Sequence, residues 1–306
     1  MADVLIHTRK AAAGLAWVQR GLRLFARRPF VIVVLVAFGP LLNWTIGLLP
    51  VVGTAFALIL FPAISLGMLT VCRAVDEGAM PGLMSYVGVL RDRVARWELL
   101  KIGVYYALVI GVLVTLWSLL PVDGTAASPP TAPTAPTPSP IAEGTTVPTT
   151  PANPNVAPTP LEPQGPDLKL TPMRIVMLLT AVVILVPLQM TIWFGPVLVA
   201  WHAMPATKAL FFSFFACWRN RAAMVVYLLA LFGLACLAVL AFAALVGLVN
   251  AKGPMAQLLL APPPLLVLAV TQTSTFAMYR DLVADGSDGS DESGQHAPAQ
   301  EPSAPA

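Results

Sequence analysis

Six stretches of this chain run for about twenty residues each with scarcely a charged side chain, the length that a hydrocarbon core of about 30 Å demands of a helix. They lie near 30–49, 51–72 and 99–120, and within 173–201, 222–249 and 257–278. No water-soluble fold could hide all of them. Strands of a membrane barrel would alternate apolar and polar residues over about ten positions, whereas these runs are apolar on every side. The expected fold class is therefore all-α, a polytopic transmembrane helix bundle of six spans. Composition agrees, since 11% of the residues are charged against roughly 25% in soluble domains.

Between the runs the chain changes character. Residues 1–29 are basic, with Arg20, Arg23, Arg27 and Arg28 just ahead of the first apolar run. That run is too long for the apolar part of a signal peptide, so a retained span is expected. Spans one to three occupy 30–120, with Pro50 and Gly53 turning the first hairpin. Residues 121–172 hold half of the chain's 30 prolines and few large apolar side chains. Such a segment cannot bury enough surface to offset its ordering entropy, and an extended external tether is expected. Spans four to six occupy 173–284. The tail, 285–306, is acidic and then rich in Ala, Pro and Ser, and disorder is expected there.

The charges give an orientation. Of the 18 Lys and Arg residues, fifteen fall on one side of a six-span topology, and only Lys169, Arg174 and Lys252 fall on the other. Cytoplasmic loops carry the positive excess. Both termini are thus expected in the cytoplasm and the Pro/Thr tract outside. The net charge of +3 is too small to suggest a nucleic-acid partner. The expected partners are membrane lipids, with protein partners or a second copy of the chain as further options.

A weak repeat runs through the spans. Ser85-Tyr86-Val87-Gly88-Val89-Leu90-Arg91-Asp92-Arg93 aligns with Ser213-Phe214-Phe215-Ala216-Cys217-Trp218-Arg219-Asn220-Arg221. Residues 22–29 form a looser copy ahead of the first span. The unit this suggests is an interfacial helix ending in arginines, followed by two spans, present three times. In the first unit Leu15, Val18, Leu22 and Phe25 share one arc and Arg20, Arg23 and Arg27 another, with Trp17 and Leu24 off the apolar arc. Trp97, Trp201 and Trp218 suit anchoring at the interface.

The segment GLAWVQRGLRLFARRPFVIVVLVAFGPLL, the hairpin that follows and the exit RAVDEG resemble a family of uncharacterised bacterial integral membrane proteins. That family is distantly similar to the membrane domain attached to some glycerophosphodiester phosphodiesterases. The resemblance covers the six spans and neither the Pro/Thr tract nor the tail. It implies a fold and a location but no activity.

Chemistry is sparse. An ionisable residue deep in a span would mark a functional site, and the central stretches contain none. The candidate polar interior consists of Asn43, Gln189 and Gln272, the last beside Thr271, Thr273, Ser274 and Thr275. These residues could line a solute path, although cross-helix hydrogen bonding is the commoner role. Pro40, Pro62, Pro187 and Pro196 could break spans to build a site, but prolines are also tolerated in membrane helices. Candidate lipid-headgroup contacts are Arg27, Arg28, Arg91, Arg93, Arg219 and Arg221.

No GxxxxGK[ST], HExxH or GxSxG motif is present, and His7, His202 and His296 are scattered. Cys72, Cys217 and Cys236 form no CxxC pair. No cofactor, metal site or catalytic residue is expected. Asp76 and Glu77 read as surface partners of nearby arginines, and a lipid enzyme would need one of them, or His202, in a shared cleft. The leading expectation is a non-enzymatic inner-membrane protein that organises membrane or partners. The alternative is a facilitator of a small neutral or lipidic solute.

Overall fold

The computed structural model describes residues 4–50, 52–88, 91–119 and 172–285. The tract expected to be a tether lies outside them except for its last residue, and the tail lies outside beyond residue 285. Ten helices follow one another among the described residues. They are α1 (Ala13–Arg27), α2 (Pro29–Gly47), α3 (Gly53–Asp76), α4 (Met84–Gly88), α5 (Arg93–Leu119), α6 (Pro172–His202), α7 (Ala206–Arg219), α8 (Arg221–Leu248), α9 (Pro254–Leu260) and α10 (Pro262–Leu282). Helices α2, α3, α5, α6, α8, and α9 with α10 taken together, make six segments long and apolar enough to cross a membrane. The all-α bundle of six spans stands. A small ribbon is added to it: β1 (Val4–Ile6) pairs antiparallel with β2 (Val283–Asp285), Val4 opposite Asp285 and Ile6 opposite Val283. Both ends of the described chain therefore meet at one end of the bundle.

Prolines break the spans in a different place from those considered above. Pro40, Pro62, Pro187 and Pro196 all lie inside continuous helices. The sixth span is the interrupted one, because Pro262, Pro263 and Pro264 supply no backbone donor for the turn before them. The helix restarts there with proline in its first turn, where the missing N–H costs nothing. In α6 the hydroxyl of Ser213, from α7, accepts from Phe194 N at 2.9 Å and donates to Met190 O at 2.7 Å. Those are the two groups that a helical ladder bond would join, one turn before the residues around Pro196, and this insertion ties α7 to α6.

Helix α3 is the hub, touching α1, α2, α4, α5, α6 and α10. The helices that precede spans one, three and five are α1, α4 and α7, and each packs mainly on a hairpin other than its own. Helix α1 lies on α8 and α10, α4 on α3, and α7 on α6 with a lesser contact to α5. Residues aligned in the sequence do not do the same job in these places. Tyr86 is buried and donates to Leu35 O at 2.6 Å, whereas its counterpart Phe214 is half-buried, and Ser213 is the buried anchor of α7, whereas its counterpart Ser85 is half-buried. Helix α4 has five residues and α7 fourteen.

The face that α1 buries in the bundle is not its apolar arc. Gly14, Trp17, Val18, Gly21 and Leu24 are buried, while Leu15 and Leu22 are exposed. Trp17 and Leu24, off the apolar arc by hydrophobicity alone, are at the centre of the contact. The reason is close approach: a Cβ on Gly21 would sit 2.6 Å from the backbone of Ser274, and one on Gly14 would strike the carbonyl of Ala223. Lipid tails are as apolar as side chains, so helices in a bilayer associate by fitting small residues together. The glycines choose the face.

The largest fully buried side chains, including Trp17, Ile32, Leu66, Ile102, Leu198 and Met278, cluster at the end of the bundle where α1, α4 and α7 lie. At the other end α8 exposes Leu237, Val239, Leu240, Leu245 and Leu248, an apolar surface suited to lipid.

Candidate functional site

The C-terminal ends of α1, α3 and α10 converge, and Arg20, Arg23, Arg27, Asp76, Arg280 and Asp281 gather there. Helix α3 ends in a left-handed turn at Gly78 (φ 78°), with Ala79 N donating to Ala74 O at 2.9 Å. That turn holds Asp76 toward α1 and α10. Asp76 accepts from Arg27 Nη1 at 3.2 Å and pairs with Arg280 through its other oxygen. Asp281, on the last turn of α10, accepts from Trp17 Nε1 at 2.8 Å and from Arg20 Nη1 at 3.2 Å, and pairs with Arg9 Nη2 at 3.2 Å. The two carboxylates are largely enclosed, with 22% and 14% of their side chains exposed. The guanidiniums around them are about half exposed, so each pair alone contributes little to stability. As a network they pin α1 to two spans.

Between these side chains is a cavity of about 410 Å³. Arg20, Arg23, Arg27 and Arg280 line it with Asp76 and Asp281, above a floor of Leu24, Phe276 and Ala277. Four cations face two anions, and Arg23 has no hydrogen bond or ion pair among the described residues. Helix C-termini carry a negative potential, which explains part of this basic character.

Asn220 completes the junction. Buried between α7 and α8, it accepts from Arg9 N at 2.7 Å and donates to His7 O at 3.1 Å and Ala216 O at 2.9 Å. Replacing Asn220 by alanine takes the side-chain partner from Arg9 N and His7 O, while Ala216 O keeps the backbone N–H of residue 220, and a loss of about 1–3 kcal/mol is expected. Faster hydrogen exchange of residues 4–9 and a lower unfolding midpoint in detergent would report it. An unchanged exchange pattern would show that Asn220 does not hold this segment.

The expected site residues divide. Arg27 lines the cavity, and Arg28 contacts the sulfur of Met80. Arg91 and Arg93 are exposed near the start of α5, where Asp92 caps the helix by accepting from Val94 N at 2.9 Å. Arg219 lies over Phe215 at 5.6 Å and Arg221 over Trp218 at 5.9 Å. With exposed Phe211, these rings give α7 an aromatic, cationic outer face. Beneath that face, burial pushes the Cys217 thiol up to about 12, which fits an inert packing residue. Burial likewise raises the Tyr86 phenol of α4.

Asn43 is half-buried with its Oδ1 enclosed and without a hydrogen-bond partner among the described residues, Gln189 is exposed on α6, and Gln272 is half-buried on α10. None of the three lines the cavity. The hydroxyl cluster beside Gln272 is a packing surface, since Tyr227 Oη bonds to Ser274 Oγ at 3.1 Å and Thr275 Oγ1 at 3.2 Å, and Gly21 seats on Ser274.

The pieces of a lipid enzyme do not share the cavity either. Asp76 lines it, but Glu77 turns away to Arg73 at 2.8 Å, and His202 bonds to Tyr279 Oη at 2.6 Å. Sequence reasoning missed Trp17, Asn220 and Asp281 as members of one site. Their partners lie more than 200 residues away, and no local pattern carries that information.

Over 277 residues the chain is 31% identical to a protein of Burkholderia thailandensis named "Probable inner membrane protein", a match covering 88% of this chain and 90% of the relative. No family model and no solved structure matches.

Proposed function

Since this chain belongs to the same family as the Burkholderia thailandensis inner membrane protein, we propose that it is a non-enzymatic organiser of the membrane's cytoplasmic surface, with both termini in the cytoplasm. The observation that carries this reading is the gathering of arginines and aromatic rings at the packed end of the bundle, on and around α1, α5 and α7. That end also holds both ends of the described chain and, by the positive-inside rule, faces the cytoplasm. Basic side chains near an anionic leaflet gain about 1 kcal/mol each. In this reading residues 121–172 form an external tether and the tail from 285 a cytoplasmic extension. The way α1, α4 and α7 each lean on another hairpin supports three related units around an axis along the membrane normal.

The test is to replace Arg91, Arg93, Arg219 and Arg221 together by glutamine and extract the protein with its surrounding lipid in polymer nanodiscs. Membrane insertion should be intact, and the ratio of anionic to zwitterionic lipid retained should fall several-fold. An unchanged ratio would remove the reading.

A further inference from the structure

The arginine-lined cavity has more positive charge than its own carboxylates answer, and the chain runs from its last α1 arginine, Arg27, into an apolar groove. Arg20, Arg27 and Arg280 each reach an aspartate carboxylate through Nη1, and Nε and Nη2 of these three make no hydrogen bond among the described residues. Arg23 makes no hydrogen bond or ion pair among the described residues. A guanidinium edge offers two parallel N–H groups at the spacing of two phosphate oxygens. The ends of α1, α3 and α10 contribute roughly half a negative charge each at most. Arg9, bound to Asp281, and Arg28, next to Arg27 in the chain, offset that contribution.

The second feature begins three residues further on. Phe30, Val31, Val34 and Leu35 of α2, with Pro81, line an apolar groove of about 320 Å³. Phe30 is 85% exposed and Val34 66%. Because Arg28 and Pro29 turn the chain from α1 into the first span, the groove lies on the first two turns of that span, directly after these arginines in the chain. A free phosphate would have use only for the cavity. A molecule with an anionic phosphate and a hydrocarbon chain matches both features.

We propose that the cavity between α1, α3 and α10 binds the phosphate of an acidic phospholipid, with an acyl chain along the α2 groove. This rests on the reading of the protein as an organiser of the cytoplasmic surface, and it names the ligand and its seat. Arg23 is the residue to change, because it carries charge into the cavity without holding the fold.

The experiment is native mass spectrometry of the full chain in detergent, titrated with dioleoyl phosphatidylglycerol, dioleoyl phosphatidylcholine, dihexanoyl phosphatidylglycerol and inorganic phosphate. Dioleoyl phosphatidylglycerol should bind about tenfold more tightly than its phosphatidylcholine counterpart. Arg23→Gln should weaken it about tenfold, the equivalent of one charge-assisted hydrogen bond, with the unfolding midpoint unchanged. Val34→Trp, which fills the groove, should weaken the long-chain lipid and spare the short-chain one.

Equal binding of the two dioleoyl lipids, or no effect of Arg23→Gln, would overturn the proposal. Displacement by inorganic phosphate together with indifference to Val34→Trp would also overturn it and leave a soluble anion as the ligand. If the quadruple variant of Arg91, Arg93, Arg219 and Arg221 loses anionic-lipid enrichment while Arg23→Gln has no effect, the cavity proposal fails and the surface reading survives.

Discussion

Replacing Gly21 by leucine is expected to drive α1 off the bundle. Four added carbons would have to occupy the space where the backbone of Ser274 now lies, 2.6 Å from an ideal Cβ. Overpacking against a flexible side chain costs about 1–3 kcal/mol, but backbone on a membrane-spanning helix cannot move aside so easily, and the cost should reach or exceed the upper figure. The damage extends beyond the contact, because α1 carries Trp17, Arg20 and Arg27, the residues that clasp Asp281 and Asp76. The expected result is a six-span protein that still inserts but gives a broadened size-exclusion peak and a red-shifted tryptophan emission as Trp17 leaves its site. Gly21→Ala should show the same changes in weaker form. A leucine variant with the wild-type melting midpoint would mean that α1 does not pack on α10 in solution.

The second large effect is expected at Asp281. Removing its carboxylate by Asp281→Ala strands the indole N–H of fully buried Trp17 and leaves Arg9 and Arg20 without their counter-charge. An unpaired buried donor costs about 1–3 kcal/mol. The two arginines are about half exposed, so water takes back much of their loss, and the indole should dominate. Asp281→Asn separates these contributions, since an amide oxygen can still accept from Trp17 but carries no charge. Melting in detergent should rank wild type above Asp281→Asn and Asp281→Asn above Asp281→Ala. Added salt should lower the wild type toward the asparagine variant. Equal midpoints for asparagine and alanine would show that charge, not the indole bond, is what Asp281 contributes.

Both effects converge on one physical feature. Three helix ends, both ends of the described chain and the most enclosed carboxylates meet at the packed end of the bundle, while the opposite end presents mostly apolar side chains to lipid. A protein built this way has its specific chemistry at one membrane surface. In the orientation proposed above, that surface faces the cytoplasm.

The six spans were legible because bilayer thickness sets the length of an apolar run, and nothing in the tertiary structure can change that requirement. The helices ahead of spans one and five were legible from their arginines and aromatic residues, as α1 and α7 show. Ser274 and its neighbours could be weighed as packing residues because membrane helices commonly use hydroxyls that way. Hydrophobicity did not reveal the buried face of α1. It set Leu15 and Leu22 on the apolar arc of an interfacial helix, where both are exposed, while close backbone approach decides which face touches the bundle. The break at Pro262 was passed over because the apolar run around it is continuous.

By itself, then, the sequence determined that this is a membrane bundle of six helices, since that follows from one-dimensional quantities, apolar length and proline content. Its charge sides added the expected orientation. Which arginines face which carboxylates was decided only by the tertiary structure. Arg9 with Asp281, Arg27 with Asp76 and Asn220 with His7 are pairs between distant elements, fixed by how closely Gly14 and Gly21 let α1 approach α8 and α10.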